Sequence, residues 1–243
     1  MVKTKVLKSF EAAVRDIPDG ACLMIDGFAG PGGTPQNLIK ALRDCGSRCL
    51  TIISNTAGLA SVIGFGTIPG QRPIDIGILV DNEQVEKIIA SFPVSPSPSK
   101  PTSFEKAYRE GKVKLELVPQ GTLAERIRAG GAGIPAFYTP TGVGTLIADG
   151  KETRFFGERE YMLETALVAD FALIRAHRAD TLGNVSYRGT SQKRIPGLSR
   201  SYYTVCSCRK NKKYQISKFS NCIECCRSSA CFPKFCNLRF SFK

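Results

Sequence analysis

Short apolar runs separated by helix-type segments are the feature that most constrains the fold of this chain. The runs Cys22–Ile25, Leu50–Ile53 and Phe171–Ala176 lack polar alternation, which is typical of strands buried on both faces of a sheet. Val85–Ser91 indicates another strand. Because helical segments lie between these runs, the sequence predicts right-handed βαβ units. The expected fold class is α/β, with an open, mostly parallel sheet and flanking helices.

Two of the predicted helices carry clear boundary signals. In the first, Thr34 suits the N-cap, Pro35 the first helical position and Gly46 the C-terminal end. A Thr-x-x-Glu pattern at 122–125 indicates a capping box for the second helix, which is predicted to stop at Gly130. Each helix therefore has a predicted beginning and end.

Two further segments can be interpreted from their pattern. The alternation of Val113, Leu115 and Leu117 predicts a strand with one covered face. The proline-rich segment 93–101 cannot form a central strand or a helix interior, so we expect a surface loop there.

Charge and cysteine content divide the chain into two parts. Residues 192–243 hold 12 of the 34 lysine and arginine residues, one acid and seven of the ten cysteines. They account for most of the net charge of +13, whereas residues 1–191 carry only +2, so the body is not expected to bind nucleic acid. We find no signal peptide and no apolar run of the roughly 20 residues that a membrane span needs. A cytoplasmic protein with free thiols is therefore expected.

A glycine-rich turn follows the first predicted strand and opens the next helix. Glycine lets the backbone approach a ligand closely, and a helix N-terminus offers N–H groups with partial positive charge. The turn therefore suits a pyrophosphate or a carboxylate, although a tight turn without a ligand fits the same pattern. It is neither a Walker A loop nor a clean G-x-G-x-x-G fingerprint. The candidate binding residues are Gly27, Phe28, Ala29, Gly30, Gly32, Gly33 and Thr34.

Two runs in the second half of the body are too particular for a general scaffold. They are Gln120–Gly133, which reads Gln-Gly-Thr-Leu-Ala-Glu-Arg-Ile-Arg-Ala-Gly-Gly-Ala-Gly, and Thr139–Thr145. Together with 167–176 and 183–188 they resemble the first (A-type) subunit, or first half, of the family I CoA-transferases, which exchange coenzyme A between short carboxylic acids. The resemblance ends near residue 191. It divides the chain into an α/β domain at 1–191 and a basic, cysteine-rich tail at 192–243.

The resemblance implies that coenzyme A, a substrate and not a permanently bound cofactor, binds at the glycine-rich turn. Asp26 stands where the family has its first glycine, and one extra residue lies between Phe28 and Gly33. The resemblance also implies that later glycine-rich loops contact the substrate or the partner near the subunit junction. The alternative is that these glycines only let two backbones cross closely. The loop residues are Gly130, Gly131, Gly133, Thr141, Gly142 and Gly144.

The nucleophile of the family has no counterpart in this chain. It is a glutamate in a Ser-Glu-Asn-Gly stretch of the second (B-type) subunit or second half. Glu116, Glu125 and Glu164 lie in regular segments, where a carboxylate is typically solvated, capping or paired. His177, the one histidine, has no partner for a triad and is expected at a surface or an interface. We therefore expect no catalytic residue and no metal ligand here, and activity only with a separate B-type subunit.

The tail allows several interpretations. Cys206, Cys208 and the cysteines of 222–226 can supply thiolates to zinc, and the basic residues can contact nucleic acid. A shift of reading frame near residue 191 and a disordered natural extension are the other two possibilities. The sequence predicts an irregular tail that is disordered or out of frame.

These observations lead to two functional hypotheses. The first is the A-type subunit of a CoA-transferase, which acts in a heterodimer or heterotetramer with the B-type subunit. It would move coenzyme A by a ping-pong mechanism from succinyl-CoA or acetyl-CoA to a short 3-oxo acid, such as acetoacetate or 3-oxoadipate. The alternative is a non-catalytic metal- or nucleic-acid-binding protein built on a decayed CoA-transferase domain.

Overall fold

The computed structural model describes residues 6–27, 33–62, 74–180 and 185–187, and the backbone of 203–210 and 213–220. The α-helices in these ranges are α1 Phe10–Val14, α2 Gln36–Cys45, α3 Gly77–Asp81, α4 Ser103–Arg109 and α5 Gln120–Ala132. The strands are β1 Val6–Leu7, β2 Cys22–Ile25, β3 Leu50–Ile53, β4 Val85–Ala90, β5 Lys114–Leu117, β6 Ala136–Thr139, β7 Thr153–Phe156, β8 Arg159–Thr165, β9 Phe171–Ala176, β10 Arg178–Ala179, β11 Val185–Ser186, β12 Tyr203–Lys210 and β13 Lys213–Ser220.

Eight strands form the main sheet, in the order β1-β13-β12-β9-β2-β3-β4-β5. The six strands from β12 to β5 are parallel to one another, and β13 pairs antiparallel with both β12 and β1. Helices connect the strands from β2 to β5, as parallel pairing requires. The predicted α/β fold with a mostly parallel sheet is confirmed.

The main sheet is apolar on both faces at β2, β3 and β9, which explains why these three strands appear in the sequence as apolar runs. Leu23 of β2 and Ile52 of β3 pack on one side, in a cluster that includes buried residues of α1 to α4. Met24 and Ile53, the next residues along these strands, pack on the other side with Leu123 of α5. Alternate residues of one strand therefore supply two separate apolar layers.

A second, antiparallel sheet with the strand order β6-β8-β7 follows α5 in the chain. Burial alternates along its central strand β8, since Met162 and Glu164 are buried whereas Arg159 and Thr165 are exposed. Both flanking strands pair with β8 throughout their length. The sequence analysis did not identify this smaller sheet.

Both predicted helices exist, but α2 differs from the expectation at its beginning and α5 at both ends. α2 begins at Gln36, with Pro35 as its N-cap and no side-chain cap, although it ends as predicted before Gly46. α5 begins at Gln120, so the predicted capping box at 122–125 is wrong, and it continues past Gly130 to the C-cap Gly133. The early start follows from Pro119, whose fixed φ places it immediately before the first turn.

The predicted strand at 113–118 exists, but its covered face is incomplete. Val113 is buried, whereas Leu117 is 45% exposed. β5 is the last strand of the main sheet, so within the described ranges no neighbouring strand covers its outer side. The proline-rich segment 93–101 contains no helix or strand, as predicted.

The expectation of an irregular tail is wrong for two segments. β12 pairs in parallel with β9, and β13 turns back along it, so both strands extend the main sheet. The rest of the tail, including the zinc candidates in 222–226, lies outside the described residues. Among the helices that the structure describes, none is long and apolar enough to cross a membrane.

Candidate functional site

The direction in which strands are added to the sheet reverses between β2 and β9, and a crevice is expected there at the carboxyl ends of the strands. The chain leaves β2 toward β3 on one side, whereas β9 is joined in the sheet to β12 on the other. Ligands of open α/β sheets bind outside the carboxyl ends of strands at such a reversal of direction. The glycine-rich turn follows the carboxyl end of β2, so the fold brings the predicted binding turn to this crevice.

The described ends of the glycine-rich turn lie against each other. A Cβ atom added to Gly27 would lie 3.1 Å from Thr34 Oγ1, and Thr34 is buried. Asp26 is also buried, and its N–H donates to the carbonyl of Leu173 on β9 at 3.0 Å. Gly33 has a φ of +91°, a conformation that side chains disfavour. The other predicted contacts, Phe28, Ala29, Gly30 and Gly32, lie outside the described residues.

Two side-chain amides meet further along the same edge of the sheet. Asn55 follows β3 and Gln120 opens α5 after β5, and Gln120 Nε2 donates to Asn55 Oδ1 at 2.6 Å. The backbone carbonyl of Asn55 accepts from Ser91 and Phe92 after β4, at 3.2 and 2.9 Å. The Asn55–Gln120 pair therefore spans the end of β4. The sequence analysis missed this pair, because residues 65 positions apart show no local pattern.

The first turn of α5 adds backbone donors beside this pair. The first bond of the helix runs from the N–H of Leu123 to the carbonyl of Pro119, at 2.8 Å. The N–H groups of Gln120, Gly121 and Thr122 thus have no carbonyl partner within the helix, and no side chain caps this end. Uncapped N–H groups and the helix dipole favour an anion at this position.

Glu116 of β5 lies between two cations. Its Oε1 accepts from Arg126 Nη1 at 2.7 Å, and its Oε2 accepts from Lys87 Nζ at 2.5 Å. Burial opposes ionisation of this carboxyl, but the hydrogen bonds from Lys87 and Arg126 outweigh it and hold its pKa below the ordinary value. Both carboxylate oxygens are thus engaged, so Glu116 is a structural anion, as predicted.

Glu164 of β8 is held in the same way and is only 2% exposed. Its Oε1 lies 2.6 Å from Lys151 Nζ, and its Oε2 lies 3.6 Å from Arg126 Nε. Arg126 Nε also donates to the carbonyl of Thr165 at 2.7 Å. Glu125, the third predicted carboxylate, is paired with Arg128 on the surface of α5. We expected these three glutamates to be solvated, capping or paired, and all three are paired.

Gly130, Gly131 and Gly133 lie in α5 or at its C-cap, not in a flexible loop. A Cβ atom added to Gly130 would lie 2.0 Å from the carbonyl oxygen of Leu167, so the two backbones touch there. This close approach agrees with the alternative given in the sequence analysis, that the glycines let two backbones cross closely. A role of these three glycines in substrate or partner contact stays a prediction.

Thr141, Gly142 and Gly144 do lie in a loop, which follows β6. Thr141 N–H donates to Thr139 Oγ1 at 3.2 Å, and Gly142 has a φ of +95°. A Cβ atom added to Gly142 would lie 2.9 Å from the end of the Met162 side chain. Gly144, in contrast, has open space around it. Their contact with substrate or partner also stays a prediction.

His177 follows β9 and is partly buried, with its N–H donating to the carbonyl of Ser186 at 2.9 Å. The hydrogen bonds of the described residues do not place its ring beside a serine or cysteine. Within the described ranges, no three or more histidine, cysteine, aspartate and glutamate side chains are grouped as a metal site. The tail cysteines lie outside the described side chains.

A family profile described as Coenzyme A transferase matches residues 7–206. The chain belongs to the coenzyme A transferase family. This CoA-transferase chain is 50% identical over 183 residues to the A-type subunit of the succinyl-CoA:3-ketoacid coenzyme A transferase of Xanthomonas campestris, covering 75% of this chain and 68% of that one. It is 47% identical over 201 residues to the A-type subunit of the 3-oxoadipate CoA-transferase of Pseudomonas putida, covering 83% and 80%.

Among solved structures, an acyl-CoA transferase of Escherichia coli O157:H7 matches this CoA transferase with a TM-score of 0.62 and 26% identity. The match covers 76% of this chain and 36% of that one. The family, the enzyme class and the A-type character predicted from the sequence are confirmed. The profile extends to residue 206, past the predicted domain boundary at residue 191. The origin of the remaining tail stays a prediction.

Proposed function

We propose that this chain is the A-type subunit of a CoA-transferase and that it holds the carboxylate of a short 3-oxo acid at the Asn55–Gln120 pair. The hydrogen bond at 2.6 Å engages Asn55 Oδ1, so the amide nitrogen of Asn55 remains a donor at the carboxyl edge, beside the uncapped first turn of α5. Amide and backbone N–H groups hold a carboxylate by hydrogen bonds without a full opposing charge. This geometry is the observation that carries the proposal.

Coenzyme A would lie at the crevice between β2 and β9. Gly27, Gly33 and Thr34 lie at the ends of the turn, which suits the close approach of a pyrophosphate. The likeness to an E. coli acyl-CoA transferase, also solved as a thioester complex with CoA, supports coenzyme A binding by this fold, at a TM-score of 0.60. Coenzyme A is then a substrate, and the chain needs no resident cofactor for this reaction.

The nucleophile would come from a companion chain of the B type. Glu116 and Glu164 are each held by two cations, which leaves them poorly placed to attack a thioester. A glutamate of the companion would displace the thiolate of coenzyme A from the acyl group. The thiolate would then attack the glutamyl carbonyl of the resulting anhydride, which releases the acid and leaves a glutamyl-CoA thioester. The same two steps in reverse, with the 3-oxo acid, would give 3-oxoacyl-CoA, restore the glutamate and complete a ping-pong cycle. The names of the relatives, which specify one subunit of a larger enzyme, support such a companion.

The proposal extends to the acceptor acid and to the compartment. Relatives named for 3-ketoacid and for 3-oxoadipate transfer support acetoacetate and 3-oxoadipate as the first acids to test, with succinyl-CoA as donor. The free thiols of Cys22, Cys45 and Cys49 are in keeping with the reducing cytoplasm.

The experiment combines this chain with the companion subunit of the Xanthomonas campestris enzyme and follows 3-oxoacyl-CoA from succinyl-CoA and each acid. Each chain alone should be inactive. Gln120→Glu should raise KM for the acid about tenfold or more, because it sets a carboxylate against a carboxylate. Lys112→Gln makes the same change in net charge at an exposed site before β5 and should leave KM unchanged. Equal KM values for both variants would overturn the proposed site.

A further inference from the structure

The smaller sheet presents an exposed face of aromatic and arginine side chains, which we call the aromatic–arginine face. The register pairs Arg154 with Tyr161 and Phe156 with Arg159, so these residues lie on one side of the sheet, as does Tyr138 of β6. Met162 and Glu164 lie on the opposite side and are buried. Phe156 is 48% exposed.

The side chains of this face are ordered by contacts with one another. The ring of Phe156 meets Tyr138 and Tyr161 edge to face, with centroids 5.2 and 5.3 Å apart. The guanidinium of Arg154 lies 5.6 Å from the ring centre of Phe156, and that of Arg159 lies 5.9 Å from that of Tyr161. Preordered rings and arginines lose little side-chain freedom when a partner covers them.

This composition is that of a protein interface. Tyrosine, phenylalanine and arginine are enriched at the centres of interfaces and in the residues that dominate binding. An exposed cluster of aromatic and arginine side chains of this kind marks an interaction surface.

We propose that the second subunit of the transferase docks on the aromatic–arginine face, an inference that rests on the proposed function because that function requires a companion chain. This chain spans 36% of the E. coli acyl-CoA transferase chain, so a much longer remainder accompanies the equivalent domain there. A permanent partner of this kind forms interfaces rich in apolar and aromatic residues.

Charge favours a different polypeptide over a second copy of this chain. A two-fold interface brings the same face of both copies together, so four arginines would share one buried patch. Glu152, directly before β7, already accepts a hydrogen bond from the Tyr138 hydroxyl. The occupant therefore carries carboxylates opposite the two arginines and apolar groups opposite Phe156.

The test titrates the Xanthomonas campestris companion subunit into the chain by calorimetry. The wild type is compared with Phe156→Ser and with the double variant Arg154→Glu/Arg159→Glu. We expect the double variant to bind about 100-fold more weakly, because it reverses the charge that the partner faces. Tyr108→Ser, which alters an exposed tyrosine on α4, is the matched control and should bind like the wild type. Thermal unfolding of each variant shows whether the fold is kept, and a loss of affinity relative to the wild type counts only where the variant is still folded at the temperature of the titration.

Two measurements, the affinity for the companion subunit and the rate of CoA transfer, distinguish failure of the docking surface from failure of the proposed function. Wild-type affinity in the charge-reversed variant, with CoA transfer intact, would overturn the docking surface and leave the proposed function standing. Association that depends on this face but gives no CoA transfer would support the surface and overturn the proposed function. Self-association of the isolated chain that the same variant abolishes would make a second copy the occupant and overturn the inference.

Discussion

Arg126 Nε lies 3.6 Å from Glu164 Oε2, and both side chains are almost wholly buried where α5 meets the smaller sheet. Because Arg126 also binds Glu116 of β5, one guanidinium links the main sheet, α5 and the smaller sheet. α5 begins at Gln120, in the turns just before Arg126, so this link also fixes the helix that carries half of the amide pair. A local ion pair thereby connects the stability of the fold with the geometry of the candidate site.

Replacing Arg126 with methionine should strongly destabilise the chain. The change leaves Glu164 buried with Lys151 alone and frees one oxygen of Glu116, and breaking a buried pair costs about 3–5 kcal/mol. Urea unfolding measures the loss. Arg128→Met removes an exposed pair on the same helix and should shift the urea midpoint little. A loss in Arg126→Met no larger than that in Arg128→Met would show that the buried pair is energetically unimportant.

The ionisation of Glu116 should make the free energy of unfolding depend on pH. Its pKa is lowered in the fold, so its contribution is complete above the ordinary glutamate pKa of about 4.3 and is lost as the pH falls through the lower folded value. Glu116→Gln should therefore be less stable than the wild type at neutral pH, and the two should converge in acid.

Urea midpoints across that pH range test this expectation. Glu158→Gln removes one negative charge from an exposed turn and serves as the control. A constant difference between Glu116→Gln and the wild type at every pH would contradict the assignment of the ion pair.

The elements predicted correctly from the sequence are those that neighbouring residues in the sequence determine by themselves. β2, β3 and β9 are buried on both faces, so each appears as an apolar run with the observed boundaries. Gly46 likewise ends α2 because its φ of +84° is a local requirement. Such features need no knowledge of distant residues.

The missed features depend on distant contacts or on weak local signals. Every residue of β7 is exposed, so its sequence shows no apolar face, and only its pairing with β8 makes it a strand. Thr122 has the pattern of a cap but lies within α5, whereas a true capping box joins Thr102 and Glu105 at α4. The Asn55–Gln120 pair and the ion pairs of Arg126 with Glu116 and Glu164 join residues of different elements, so no local sequence pattern predicts them.

Cys22 should be alkylated slowly. Burial, and then the nearby carboxylate of Asp170, raises the pKa of its thiol to about 11, so very little thiolate exists near neutral pH. Iodoacetamide should modify it at least about tenfold more slowly than the exposed Cys45 and Cys49, since each pKa unit changes the thiolate fraction about tenfold. Peptide mapping by mass spectrometry gives the three rates. Equal alkylation rates of the three cysteines in the native protein would contradict the burial of Cys22. In denaturant, the control condition, equal rates are expected.

Two glycines of α5 should respond in opposite ways to alanine. Gly130→Ala places a methyl group 2.0 Å from the carbonyl oxygen of Leu167, so the helix must move away from that backbone, at a cost of about 3 kcal/mol. A methyl group added to Gly121 meets nothing within 4 Å, and alanine there should stabilise the helix by up to about 1 kcal/mol. Thermal and urea unfolding of the two variants, made in the same helix, compare them directly. If Gly130→Ala were as stable as Gly121→Ala, the close crossing of α5 and the segment before β9 would be wrong.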